Sequence, residues 1–173
     1  MCHLRRTSRT RDHFRGGYTL IEVLLVVAIL GLVSAAVVPS MLTAGSMGVQ
    51  AAARVIVADL LYAQNEAIAQ QSTRKVVFDV TNNSYRLTDE NNATLTASWV
   101  NGQANNYVVD FSNDRRFTGV TILAVDFNGG NVIDFDDLGT PSTGGSVTIQ
   151  FDRRSYRIDV ASFTGRVTVT KLS

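Results

Sequence analysis

Apolar residues fall into three regimes along the chain. From residue 18 to residue 38 they run almost without a break, 21 positions with one charge, Glu22. At about 1.5 Å per helical residue such a run is about 30 Å long, the thickness of a bilayer's hydrocarbon core. It is therefore predicted to be a helix able to span a membrane. Pro39 follows, removing an amide donor and crowding the preceding turn, so a kink or a loosened turn is predicted there. Helical periodicity resumes through Val49, Ala52, Ala53, Ile56, Val57, Leu60, Leu61, Ala67 and Ile68. Gln50, Arg54, Asp59, Gln64, Asn65 and Gln70 are assigned largely to the other side, which makes an amphipathic helix lying on a globular body.

After Ser72 the period shortens towards two. Residues 74–80 and 84–88 flank Thr81-Asn82-Asn83 and are predicted to form a hairpin. Further strands are predicted at 94–100, 107–111, 120–127, 147–151, 156–160 and 166–170. Alternation is clearest in Val147-Thr148-Ile149-Gln150-Phe151 and Tyr156-Arg157-Ile158-Asp159-Val160, so one face of each should be buried. One long helix followed by strands implies an α+β domain in which an antiparallel sheet packs on the helix.

Glu22 is the anomaly in this pattern. An ionised side chain in hydrocarbon costs about 2.5 kcal/mol or more and persists where it has a partner. No other charge occurs from Val23 to Ala53, so the partner must come from another helix. A basic leader before an apolar stretch, with Val33-Ser34-Ala35 as a small-residue cleavage site, also fits an ordinary secretory signal. That reading, like a plain single-span anchor, leaves Glu22 without a role.

Composition narrows the chemistry. At 173 residues, one compact domain and its anchor helix are expected. Arg5, Arg6, Arg9, Arg11 and Arg15 precede the apolar run and only Asp12 opposes them, so the positive-inside bias keeps this end cytoplasmic and sends the rest across. The one cysteine, Cys2, and both histidines, His3 and His13, lie in the same short segment. A chain cut behind it has no disulfide, no cysteine nucleophile, no histidine base and no His/Cys zinc site. Lysine plus arginine falls from 16 to 11 and aspartate plus glutamate from 15 to 14. The body is then mildly acidic, with no general electrostatic attraction to nucleic acid. No phosphate-loop, dinucleotide or nucleophile-elbow pattern is present, and neither an enzyme nor a cofactor is expected.

The residues Gly17-Tyr18-Thr19-Leu20-Ile21-Glu22-Val23, behind an arginine-rich leader and ahead of Leu24 to Pro39, closely resemble the class III signal of type IV prepilins and type II secretion pseudopilins. The resemblance implies cleavage after Gly17 by a membrane-embedded prepilin peptidase, N-methylation of Tyr18, and pairing of Glu22 with the terminal amine of a neighbouring subunit. A matching proline in that family sits where Pro39 stands. Glu66-Ala67-Ile68 resembles the helix end of the GspH/FimT branch, with Gln64 and Asn65 in place of its usual Arg-Ser. The closing stretch is similar too: Phe135-Asp136-Asp137-Leu138-Gly139, Gly144-Gly145-Ser146-Val147, and Thr164-Gly165-Arg166-Val167. The segments implied are a leader at 1–17, a transmembrane half-helix at 18–38, an amphipathic half at 39–72 and a β domain at 73–173. The implied role is a minor pseudopilin in the bacterial inner membrane, with its domain in the periplasm. Its implied partners are other pilin-like subunits, the peptidase, and secreted cargo or the secretin. The alternative is a FimT-like minor pilin for pilus assembly or DNA uptake.

Two constellations remain. Asp126, Asn128, Asp134 and Asp137 occupy the first, third, ninth and twelfth places of a calcium loop, but Gly130 and Asn131 stand where that loop needs an oxygen ligand and then a glycine. A solvated turn joining two strands is the preferred reading. Arg153, Arg154, Arg157 and Arg166 are the residues a DNA-binding surface would use, yet Asp152 and Asp159 interleave with them, as in a solvated hairpin. Tyr85, Trp99 and Tyr107 are read as core or cross-strand aromatics.

Overall fold

The computed structural model describes residues 18–97 and 105–172, without the side chains of 35–46, Ala97 and Asn105. Gly17 and Trp99 lie outside the described residues, as does the Pro39 side chain on which the predicted kink rests. The chain divides into two compact units, Met1–Ser40 and Met41–Ser173. Helix α1 (Leu20–Gln70) contributes to both.

In the first unit α1 is apolar on every side, and its described apolar side chains from Leu20 to Val33 are all exposed. Among the described residues no helix is long and apolar enough to cross a membrane. The described apolar part of α1, residues 20–34, amounts to about 22 Å of helix, and the remainder of the run falls within 35–46.

The second unit is α+β, with one core shared by the helix and the strands. Its strands are β1 (Arg74–Asp79), β2 (Ser84–Asp89), β3 (Thr96–Ala97), β4 (Asn105–Asn106), β5 (Val108–Asp110), β6 (Thr121–Asp126), β7 (Val132–Phe135), β8 (Gly145–Phe151), β9 (Arg154–Val160) and β10 (Val167–Lys171). A single sheet was expected. Instead there are two four-stranded antiparallel sheets, ordered β5-β2-β1-β7 and β10-β9-β8-β6, and a small β3-β4 ribbon. The predicted hairpin is present, with Asp79 opposite Ser84. The split comes after β6: the chain turns tightly and β7 returns to pair with β1, Phe135 opposite Arg74 and Val132 opposite Val77. That strand was not foreseen, because Asp134 and Asp136 disguise an alternation that buries Ile133 and Phe135.

Asn83 holds the two sheets together. Its φ of 52° lies in the left-handed region that asparagine tolerates. Its Nδ2 donates to Val120 O and its Oδ1 accepts from Ile122 N, each at 2.8 Å, so the β1–β2 turn is tied to the start of β6.

Helix α1 buries Val49, Ala52, Ala53, Ile56, Leu60, Ala63 and Ala67, the i, i+3, i+4, i+7 stripe that the pattern requires. Leu61 and Ile68, expected inside, are exposed. Asp59, expected on the polar side, is buried. Two hydroxyls explain that placement: Tyr85 Oη donates to Asp59 Oδ2, and Tyr107 Oη donates to Asp59 Oδ1 at 2.7 Å. This carboxylate therefore clasps the helix to β2 and to the residue linking β4 and β5. Farther on, Gln64 Nε2 donates to Gly139 O at 2.7 Å and reaches Thr164 O at 3.4 Å. The glycines of the two closing turns are needed here. Both have positive φ, 78° and 65°, and a methyl at Gly139 would lie 2.7 Å from Ile68 Cδ1.

Burial raises the Asp59 carboxyl above its usual range, against the lowering effect of the two tyrosine hydrogen bonds. A raised acid is more protonated folded than unfolded. It therefore favours the fold at low pH, and that contribution is lost as pH rises from about 4 through the folded value. Asp59→Asn, uncharged at every pH, should gain on the wild type in thermal unfolding as pH rises across that window. Asp59→Ala should cost about 2 kcal/mol or more throughout, because it leaves buried tyrosine hydroxyls without their acceptor. A wild-type minus Asp59→Asn difference that does not vary with pH would refute the first expectation.

Candidate functional site

The site is built at the start of α1. Thr19 stands at the N-cap: its carbonyl accepts from Glu22 N at 3.0 Å and Val23 N at 3.2 Å, and its Oγ1 accepts from Glu22 N at 3.3 Å. Thr-Leu-Ile-Glu is thus a capping-box sequence, in which the threonine hydroxyl satisfies an amide that the helix leaves open. Glu22 falls in the first turn, where the helix dipole favours a negative charge. Its carboxylate is exposed and has no hydrogen-bond or ion-pair partner among the described residues, while Tyr18, Leu20 and Ile21 beside it are more than 70% exposed. A carboxylate in an apolar collar is able to accept a cation. Sequence reading did not single out Thr19 as the helix cap, although its spacing from Glu22 was signal enough.

The other predicted constellations are not assembled in this way. Asp126 closes β6, and its Oδ1 accepts from Gly129 N at 2.8 Å. The turn is completed by Asn128 and Gly129, both with positive φ, and by two hydrogen bonds between Phe127 and Gly130. Where a calcium loop would need its seventh to tenth positions, the chain is already β7. Asp134 sits on that strand opposite Lys75, and Asp137 lies beyond it in the next turn. The calcium-like spacing is therefore drawn out along a strand. Among the described residues no three His, Cys, Asp or Glu gather as metal ligands.

The four arginines separate into two places. Arg153 and Arg154 are at the β8–β9 turn, whereas Arg157 and Arg166 line a shallow groove of about 390 Å³ with Asp126, Asp159, Ser146 and Thr168. Arg157 Nε pairs with Asp159 Oδ1 at 2.9 Å. A continuous basic track, which counterion release from a phosphate backbone would exploit, does not form. Tyr85 and Tyr107 are core residues, as expected.

Fold and site together define a pilin-like subunit, a helix-on-sheet domain carried by a helix with a prepilin-type start. Residues 52–165 match the family model "Type II transport protein GspH" and residues 13–38 match the "Prokaryotic N-terminal methylation motif". The chain belongs to the GspH family and is prepilin-like and membrane-anchored, a family of structural subunits rather than enzymes. The type IV minor pilin FimU of Pseudomonas aeruginosa is similar in fold, with 16% identity, 70% of this chain and 87% of that one covered, and a TM-score of 0.50. The minor pseudopilin EpsH from the type 2 secretion system of Vibrio cholerae aligns at 17% identity over 71% of this chain and 96% of that one, with a TM-score of 0.46. No curated protein matches the chain in sequence.

Removing the cap should loosen the start of the helix without touching the carboxylate. Thr19→Ala is expected to cost the first turn about 1 kcal/mol. Amide exchange at Glu22 and Val23 in detergent micelles should then quicken about fivefold, with exchange beyond Val49 unchanged. Equal protection in both proteins would show that the cap is idle.

Proposed function

We propose that this chain is a minor pseudopilin of a type II secretion machine, cut after Gly17 by prepilin peptidase, methylated at Tyr18 and assembled into a periplasmic filament for protein export. The leader, 1–17, stays on the cytoplasmic side of the inner membrane. Residues 18–38 form the span, 39–72 carry the helix into the domain, and 73–173 face the periplasm, where other subunits, cargo or the secretin are met.

The observation that carries this reading is the exposed, wholly apolar helix with one carboxylate held in its first turn. Such a surface is stable only in lipid or among like helices, and a buried carboxylate is tolerated there only as half of a pair. Cleavage after Gly17 creates an amine at Tyr18. Glu22 lies one helical turn further on, so an amine from a neighbouring, axially shifted helix can reach it as that helix packs alongside. Assembly thereby neutralises the acid and the amine together. Subunits that are uncut or out of register lack this pairing.

Two measurements test this. Mass spectrometry of the protein from its native membranes should find an N-methylated Tyr18 as the first residue, and any other first residue sinks the reading. Glu22→Ala should be cleaved nearly as the wild type is, yet recover at least about tenfold less of its partner pilins on co-purification, the loss expected for a desolvated ion pair. Recovery at wild-type levels would contradict the role given to Glu22.

A further inference from the structure

We propose that the free edge of β10 is a docking site for an extended, acidic segment of another protein, which joins the β10-β9-β8-β6 sheet as a further strand. The register fixes which groups are open there. Arg166 O accepts from Ala161 N at 3.0 Å and Leu172 N donates to Ser155 O at 2.9 Å. Between them Thr168 and Thr170 stand opposite Asp159 and Arg157. In an antiparallel pair the bonded residues alternate, so Arg166, Thr168, Thr170 and Leu172 bond to β9. The amides and carbonyls of Val167, Val169 and Lys171 therefore point away from it. Among the described residues no strand takes them: β10 ends its sheet, and four of its five residues are exposed.

The other edges of the two four-stranded sheets are guarded. β7 is closed on its outer side by the chain that follows, with Ser142 N donating to Asp134 O at 2.8 Å and Pro141 bridging to Phe135. β6 is interrupted by a bulge about Leu123, where its register with β8 shifts between Ile122 and Ala124. β5 has three residues. Covering segments, bulges and short strands are the devices that keep sheet edges from pairing. β10 runs unbroken over five residues, without a proline and without a covering segment among the described residues.

The occupant follows from charge. Arg166 and Lys171 flank the open edge, both exposed and without an ion-pair partner among the described residues, although Arg166 shares its groove with Asp126 and Asp159. Arg157, across from Thr170, is already held by Asp159. A second copy pairing edge to edge about Val169 would bring each Lys171 beside the other chain's Val167 and Arg166, so cations would meet at both ends and oppose it. A segment bearing carboxylates finds a cation at either end instead. Its main chain bonds to Val167, Val169 and Lys171. Apolar side chains at its alternate positions cover Val169, which stands opposite Ile158 and is 43% exposed. The contact uses neither Glu22 nor the packing of helices, so it stands or falls apart from the filament role.

The test uses the isotope-labelled full chain in detergent micelles and a short fluorescent peptide of alternating valine and glutamate. Binding should shift the amide signals of Val167, Val169 and Lys171 and slow their exchange at least about tenfold, while Thr168 and Thr170, already bonded to β9, change little. The same peptide with every backbone amide N-methylated should bind at least about tenfold more weakly. Val169→Pro removes an open donor and leaves the bonds to β9 in place, so it should weaken binding with the Thr168 and Thr170 amides still protected. Arg166→Glu should lower affinity about threefold, and a peptide with lysine in place of glutamate should bind the wild type more weakly than the acidic one. Equal binding of the N-methylated peptide or of the lysine peptide overturns the proposal. So does slow exchange at Val167 and Val169 that grows with protein concentration in the absence of peptide, which makes a second copy the occupant.

Discussion

A carboxylate in an otherwise apolar helix is the constraint on which the molecule depends. Glu22 has no cation among the described residues, and the side chains around it are hydrophobic on every face of α1. Neither lipid nor a helix bundle accepts an unpaired acid cheaply. Thr19 adds rigidity at that point: by capping the Glu22 amide it holds the backbone of the helix start. The unpaired charge and the helix cap thus fall on the same residue.

Past residue 48 the same helix has a different task, met by polar side chains set among apolar ones. Asp59 receives two tyrosine hydroxyls from the β5-β2-β1-β7 side, and Gln64 reaches the carbonyls of Gly139 and Thr164. Asn83 closes the set by joining the β1–β2 turn to β6. A hydrophobic stripe alone would let a helix slide along a sheet, because burial is not directional. Directional hydrogen bonds permit one register. The cost is a carboxyl held above its ordinary range by burial, tolerable because both of its oxygens are bonded.

Charge at the domain surface is arranged locally. Arg157 and Arg166 share a groove with two aspartates, Arg116 is held by Asp114, and the acidic stretch from Asp126 to Asp137 is divided by a turn and a strand. Among the described residues neither a basic track nor a ring of oxygen ligands results.

The sequence by itself determined the elements governed by local periodicity. The apolar run with Glu22, the buried stripe from Val49 to Ala67, the hairpin about Asn82 and Asn83, and strands such as β8 and β9 were all legible, because side-chain spacing decides which face can be buried. The resemblance at both ends of the chain supplied the family, which residues 52–165 then matched. Tertiary structure alone decided the rest. Two sheets instead of one, and β7 inside an apparent acidic loop, depend on which strand β1 accepts as its second neighbour, a choice between distant segments. The burial of Asp59 depends on Tyr85 and Tyr107 arriving from 26 and 48 residues away. The exposure of Leu61 and Ile68 follows from which face of α1 the sheets had already covered. Periodicity states what an element can bury; only the assembled fold says what it meets.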